Sequence, residues 1–234
     1  MDARFPRSAK YEHLAAGNLM GPHVLWLLES LCSRIEFTAG MRIMDLGCGK
    51  AISSIFLAQE FDAQVWATDL WIAATDNWSR IRQAGLEDRV FPIHAEAHAL
   101  PYAEDFFDAI VSVDAYHYFG TDDLYLEKIV RFLKPEGQLA IACPAYKREL
   151  RNDEVPEYLR DAYFNQQWHS FHSPAWWRHH WEKAGAVEIM CAEEAPEAAD
   201  IWSSSTQPGN PDAPVVLADG GRLLTFSRVV GRRR

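Results

Sequence analysis

Four acidic residues in the first half of the chain each stand at the end of a short apolar run: Asp45, Asp69, Glu96 and Asp114. Asp45 leads into Gly47 and Gly49 in "MDLGCGKA". Glycine lets the backbone turn tightly there and lets a ligand approach with no Cβ in the way. Asp69 follows Gly47 by 22 positions, where an acid can take two hydrogen bonds from ribose hydroxyls. The same spacing suits a dinucleotide-binding turn, but the sixth position of that fingerprint is Ile52, where Gly or Ala is required. A nicotinamide oxidoreductase is therefore the weaker reading. Beyond Asp114, in "VDAYHYFG", comes His117. An imidazole with an ordinary pKa of ~6.5 can serve as a general base near neutral pH.

Placing these residues in one site requires a particular framework. "RIMDLG", "AQVWATDL", "RVFPIHAEA", "FDAIVSVDAYHYF" and "QLAIACPAY" read as five strands, and helix-period segments separate them. "LYLEKIVRFLKPEGQ" is expected to be an amphipathic helix stopped by Pro135 and Gly137. "AVEIMCAEE" and "GRLLTFSRVVG" supply a sixth and a seventh strand. Strand–helix alternation predicts an α/β fold, a Rossmann-like seven-stranded, mostly parallel sheet with helices on both faces. Ligands of such sheets lie at the carboxyl ends of the strands, where all four acids fall.

Two regions break the rhythm of the single domain expected over 1–234. Residues 1–40 form an N-terminal cap ahead of the core at 41–143, with a helix opening at Pro22 in "NLMGPHVLW". Met20, Gly21 and His23 at that helix start are candidates to close over a ligand. Residues 144–184 follow the fifth strand and end in "FNQQWHSFHSPAWWRHHWEKAG", a candidate aromatic lid. Within it Trp168, His169 and His172 are the pocket candidates, whereas Trp177 and Trp181, spaced i and i+4, are expected to pack a helix onto the sheet. His169-x-x-His172 has no identifiable partners, so no metal is expected. Residues 185–234 carry the last two strands and a Pro-, Ser- and Ala-rich connection over 195–219.

A net charge of −10 in 234 residues disfavours a nucleic-acid partner, whose phosphates would be repelled. No apolar run reaches the ~18 residues of a membrane helix. "MDARFPRSAKYEHLAAG" lacks the apolar block of a secretory signal, and the four scattered cysteines suit a reducing cytoplasm.

Taken together, these motifs resemble class I S-adenosylmethionine-dependent methyltransferases of the small-molecule type, with quinone C-methyltransferases and cyclopropane-fatty-acid synthases among the similar members. "DLGCGKA" follows the family's acid–apolar–G-x-G-x-G motif, with Ala51 in the last glycine position. "EAHALP" matches its D-A-x-x-L-P motif, with Glu96 for Asp. "FDAIVSVDAYHYF" and "RFLKPEGQLAIA" match the fourth strand and the passage into the fifth. The resemblance implies S-adenosylmethionine held by Asp45, Gly47, Cys48, Gly49, Asp69, Leu70, Glu96, Ala97 and Asp114. Asp45 would help anchor the ammonium, Asp69 the ribose, and Glu96 with the Ala97 amide the adenine. His117 is the implied base. Tyr116 stands where cyclopropane synthases carry a Glu that helps bind a bicarbonate base, which argues against lipid cyclopropanation. Tyr116 and Tyr118 are alternatively pocket walls, and His23, Tyr118, Trp168, His169 and His172 would line the acceptor side. Ala51 and Glu96 keep open a second reading, a cofactor-binding partner or regulatory protein without transferase activity. Acceptor atom and oligomeric state are not legible.

Overall fold

The computed structural model describes residues 4–234; Met1–Ala3, the head of the expected N-terminal cap, lie outside the described residues. Seven strands form one sheet: β1 (Arg42–Leu46), β2 (Gln64–Asp69), β3 (Val90–His94), β4 (Phe107–Val113), β5 (Leu133–Tyr146), β6 (Val187–Glu194) and β7 (Leu224–Arg233). Their spatial order is β3-β2-β1-β4-β5-β7-β6. β1 to β5 are mutually parallel, and β7 runs antiparallel between β5 and β6. The seven-stranded, mostly parallel sheet expected from the sequence is thus present.

The chain winds outward from β1 to β2 and β3, then returns to place β4 on the other side of β1. Asp45 pairs in register with Ala67 on one side and Val111 on the other. Connections leaving the carboxyl ends of β1 and β4 diverge and open a crevice there, the usual ligand position of such sheets.

The helices are α1 (Glu12–Ala15), α2 (Val24–Cys32), α3 (Ile52–Phe61), α4 (Ala74–Gln83), α5 (Tyr125–Val130), α6 (Arg160–Asn165), α7 (Pro174–Ala184), α8 (Ala198–Ser203) and α9 (Ala213–Asp219). Ile52 to Ala58 of α3 are all buried. A helix that is apolar all round belongs inside, and α3 packs on β2 and β3 beside α2, which covers β4 and β5. α5 ends at Val130, well short of Pro135. Leu133 instead takes a ladder position opposite Phe107, and a register shift follows before Ala109 pairs with Gln138. The residue before a proline is pushed toward extended backbone, which favours this early stop.

Trp177 and Trp181 of α7 are fully buried beside Tyr116, in agreement with their expected packing role. Ser173 caps that helix through its Oγ, 3.2 Å from the Trp176 amide, and Pro174 occupies the first turn. The connection over 195–219 is folded rather than loose. α8 and α9 bury Ile201, Trp202 and Val216, and the Trp202 ring stacks on Phe226 of β7 at 4.7 Å.

Candidate active site

A cavity of about 290 Å³ opens at the carboxyl ends of β1, β2 and β4. Its centre is the turn after β1. The Gly47 and Cys48 amides donate to the Thr68 carbonyl at 2.8 and 3.1 Å, which ties the turn to the end of β2. The Gly49 amide donates to Asp69 Oδ2 at 2.8 Å. From α4, the buried Asn77 donates through Nδ2 to the Gly49 carbonyl at 2.9 Å. Two elements, the end of β2 and α4, therefore hold one short loop.

Both glycines are required here. Gly47 has φ +76°, and a Cβ on it would overlap the Cβ of Ala115 after β4. Gly49 has φ +52°, and its missing Cβ leaves room for Met20 Sδ, which would lie 3.0 Å away. Ala51, in the family's last glycine position, adopts the same left-handed region with φ +60°. That conformation costs an L-residue roughly 1–2 kcal/mol, so the loop keeps the glycine geometry despite the substitution.

Asp69 is the best-placed carboxylate. Oδ1 accepts from the Trp71 and Ile72 amides at 2.7 and 2.9 Å, while Oδ2 accepts from Gly49. A carboxylate has about four acceptor sites, so three backbone donors fix its direction and leave capacity for a ligand hydroxyl. Leu70 beside it is exposed into the cavity, its carbonyl 2.7 Å from His94 Nε2. Glu96 also lines the cavity, but its side chain lies against His98. Oε2 accepts from the His98 amide at 2.8 Å and Oε1 sits 2.7 Å from His98 Nδ1. The hydrogen bond from His98 holds the Glu96 carboxyl below its usual pKa. Ala97, Cys48, Asp114 and Tyr118 complete the expected residues that reach the cavity.

Other expected residues lie elsewhere. Asp45 is buried beneath the loop, where Oδ2 accepts from Ser53 and Ser54 Oγ at 2.6 Å each. Burial pushes its pKa up to about 6, against the lowering effect of the two serines. It does not line the cavity, and it anchors the start of α3. His117 is also buried away from the cavity, with Nδ1 unpartnered and the Phe171 ring 5.3 Å away. Burial, with a smaller contribution from His172, pushes its pKa down to about 3, too low for an efficient base at neutral pH. Tyr116 belongs to the core between Phe119, Tyr125 and Trp177.

The acceptor-side candidates are displaced for similar reasons. His23 caps α2 through Nδ1 and stacks on Trp26 at 4.3 Å. Trp168 is buried against Phe171 and Trp202. His169 contacts the Tyr163 carbonyl, and His172 pairs with Glu149 at 2.9 Å while stacking on Trp176. None of these four reaches the cavity. Met20 and Gly21 of the N-terminal cap do. Asn77 and Phe119 escaped the sequence reading. A polar residue on the inward side of a helix was the available signal for Asn77, since a buried amide needs partners. Among the described residues, no group of three or more His, Cys, Asp or Glu could hold a metal ion.

The cavity suits a nucleoside joined to an amino acid. Gly47 and Gly49 form a cradle that a Cβ would fill, Asp69 retains acceptor capacity, and Leu70 and Ala97 offer apolar wall. Residues 43–137 match the family described as a methyltransferase domain. The matched segment runs from β1 through the start of β5 and so contains the glycine turn and the strand ends that form the cavity. The chain is 35% identical over 120 residues to methyltransferase GfsG of Streptomyces halstedii, covering 50% of this chain and 42% of that protein. It is 23% identical over 163 residues to a glycine/sarcosine/dimethylglycine N-methyltransferase of Actinopolyspora halophila, covering 69% and 28%. The chain thus spans less than half the length of these curated relatives. Its fold is shared with a geranyl diphosphate C-methyltransferase from Streptomyces coelicolor, whose crystal structure contains S-adenosyl-L-homocysteine. The TM-score is 0.73 at 16% identity, over 91% of this chain and 79% of the other.

Proposed function

We propose that this protein transfers a methyl group from S-adenosylmethionine to a small-molecule acceptor by in-line displacement. The observation that carries the reading is Asp69: three backbone amides aim its carboxylate into the cavity that the two glycines floor. Asp69 would hold the ribose, Leu70 and Ala97 the adenine, and the Gly47–Gly49 turn the amino-acid end. When bound, the cofactor supplies a methyl carbon already activated by a sulfonium, with a neutral thioether as leaving group.

The chain's part is then mainly orientation, which can be worth roughly 7–11 kcal/mol of barrier. Met20 and Gly21 cover the loop from the N-terminal side, and Tyr118 and Phe119 stand on the β4 side. These residues would exclude water and face the acceptor. His117 is not given a proton-transfer role. Four free cysteines favour a reducing, cytoplasmic setting; among the described residues no helix is long and apolar enough to cross a membrane.

Calorimetry with S-adenosylhomocysteine and a labelled-methyl transfer assay on a metabolite panel test the reading. Asp69→Ala is expected to weaken S-adenosylhomocysteine binding by at least about tenfold, the usual scale for hydrogen bonds to a charged group. Unchanged affinity in that variant would overturn the assignment. Tight binding without turnover on any acceptor would instead favour a non-catalytic partner protein.

A further inference from the structure

Among the described residues three carboxylates line the cavity, and one of them has no partner there. Asp69 is held by backbone amides and Glu96 by His98. Asp114 accepts no hydrogen bond and forms no ion pair with any described residue. It follows β4 directly, with left-handed backbone at φ +57°, and its carboxylate rests on Gly21, where a Cβ would collide with Oδ2. Lys50, the lysine of the cavity wall, is turned away, with Nζ 3.0 Å from the Gly17 carbonyl. The neighbouring charge is Asp212, just before α9, which adds repulsion and no compensation. Burial, reinforced by Asp212, pushes the Asp114 pKa up to about 8. Two aromatic rings at the same cavity, Trp71 and Tyr118, lie 5.6 Å apart, both well exposed.

A half-buried carboxylate without a counter-charge is costly unless a ligand brings one. Aromatic faces beside it suit alkylated ammonium groups. We propose that Asp114 receives the cationic amine of the methyl acceptor, with Trp71 and Tyr118 walling its alkyl substituents. This rests on the methyltransferase reading of the same cavity. It selects amine-bearing acceptors, which supply the missing counter-charge, over carboxylate or phosphate acceptors, which do not. The donor's own α-ammonium is the other cation that could meet this carboxylate, and the experiment separates the two.

Isothermal titration of the full chain saturated with S-adenosylhomocysteine uses probe pairs alike in shape and different in charge. Suitable pairs are choline with 3,3-dimethylbutan-1-ol, 2-dimethylaminoethanol with 3-methylbutan-1-ol, and phenethylamine with 2-phenylethanol. At least one amine is expected to bind about tenfold or more tightly than its neutral partner. In Asp114→Asn that preference is expected to fall below about threefold, while S-adenosylhomocysteine affinity stays within about threefold of wild type. Asn tolerates left-handed backbone, so the turn should survive, and circular dichroism checks this. No preference in any pair, or a preference that persists in Asp114→Asn, overturns the proposal. So does a loss of S-adenosylhomocysteine affinity of about tenfold or more in the folded variant, which would assign the carboxylate to the donor's ammonium. Wild-type protein that binds no S-adenosylhomocysteine would sink the methyltransferase reading itself, and this proposal with it.

Discussion

Gly47 carries two independent constraints, a left-handed backbone and contact with Ala115 across the turn. Gly47→Ala is therefore expected to destabilise the chain by at least about 1–2 kcal/mol from conformation alone and to reduce S-adenosylhomocysteine binding, as chemical denaturation and calorimetry would show. Two acids, the buried Asp45 and the half-buried Asp114, give the protein a pH signature. Asp45 and Asp114 have pKa values raised to about 6 and about 8, above those of an unfolded carboxyl. The native state therefore binds more protons than the unfolded chain in this range, and stability falls as pH rises from about 4 to about 8. The loss is expected to be progressive across this range in ligand-free protein, and Asp114→Asn should flatten its upper part. Urea denaturation across the range checks both; stability rising steadily with pH, equally in both proteins, would refute the assignment. At this scale sequence reading was uneven. Asp69 and the glycines lie at the cavity, a position that follows from strand-end placement and backbone freedom. Asp45 was expected there too, but nothing local indicated that Ser53 and Ser54 would hold its carboxylate at α3.

α7 is fixed by its own sequence signals and by its packing. Ser173, Pro174 and Gly185 mark its ends, and Trp177 and Trp181 bury one face against the sheet. Trp181→Ala is expected to cost about 3–5 kcal/mol, the range for a buried aromatic truncation. S-adenosylhomocysteine affinity should be preserved in the protein that remains folded, because Trp181 does not reach the cavity. Asn77→Ala should behave in the opposite way. It removes one bond to the glycine turn, costs about 1–3 kcal/mol, and weakens ligand binding because α4 no longer holds Gly49. A ligand titration of both variants distinguishes scaffold from site. The long connection over 195–219 was the element least legible in sequence. Its α8 and α9 are too short to be stable alone, and they exist because Trp202 and Val216 find a surface on the rest of the fold.

Across the whole molecule, a ligand that binds only the folded state should stabilise all of it. S-adenosylhomocysteine at about one hundred times its Kd adds about 2.7 kcal/mol, which for a chain of this size raises Tm by roughly 5–11 °C. NADH is expected to give no shift, and differential scanning fluorimetry decides the matter. A shift with NADH and none with S-adenosylhomocysteine would overturn the choice of donor.

Strand period, the glycine turn and the acid at each strand end could be read from the chain alone, because alternation and backbone freedom are properties of neighbouring residues. From these followed the sheet and the end of it at which a ligand would sit. Which side chains face that ligand was decided only in three dimensions. His117, His23 and the histidines near α7 have suitable chemistry, but capping, ring stacking and burial by distant elements turn them away. Asp114 faces the cavity without a counter-charge because β4, the N-terminal cap and the turn before α9 converge there and none of their described residues brings a cation to it. A side chain's surroundings are set by segments far away in sequence, so periodicity and spacing leave them open.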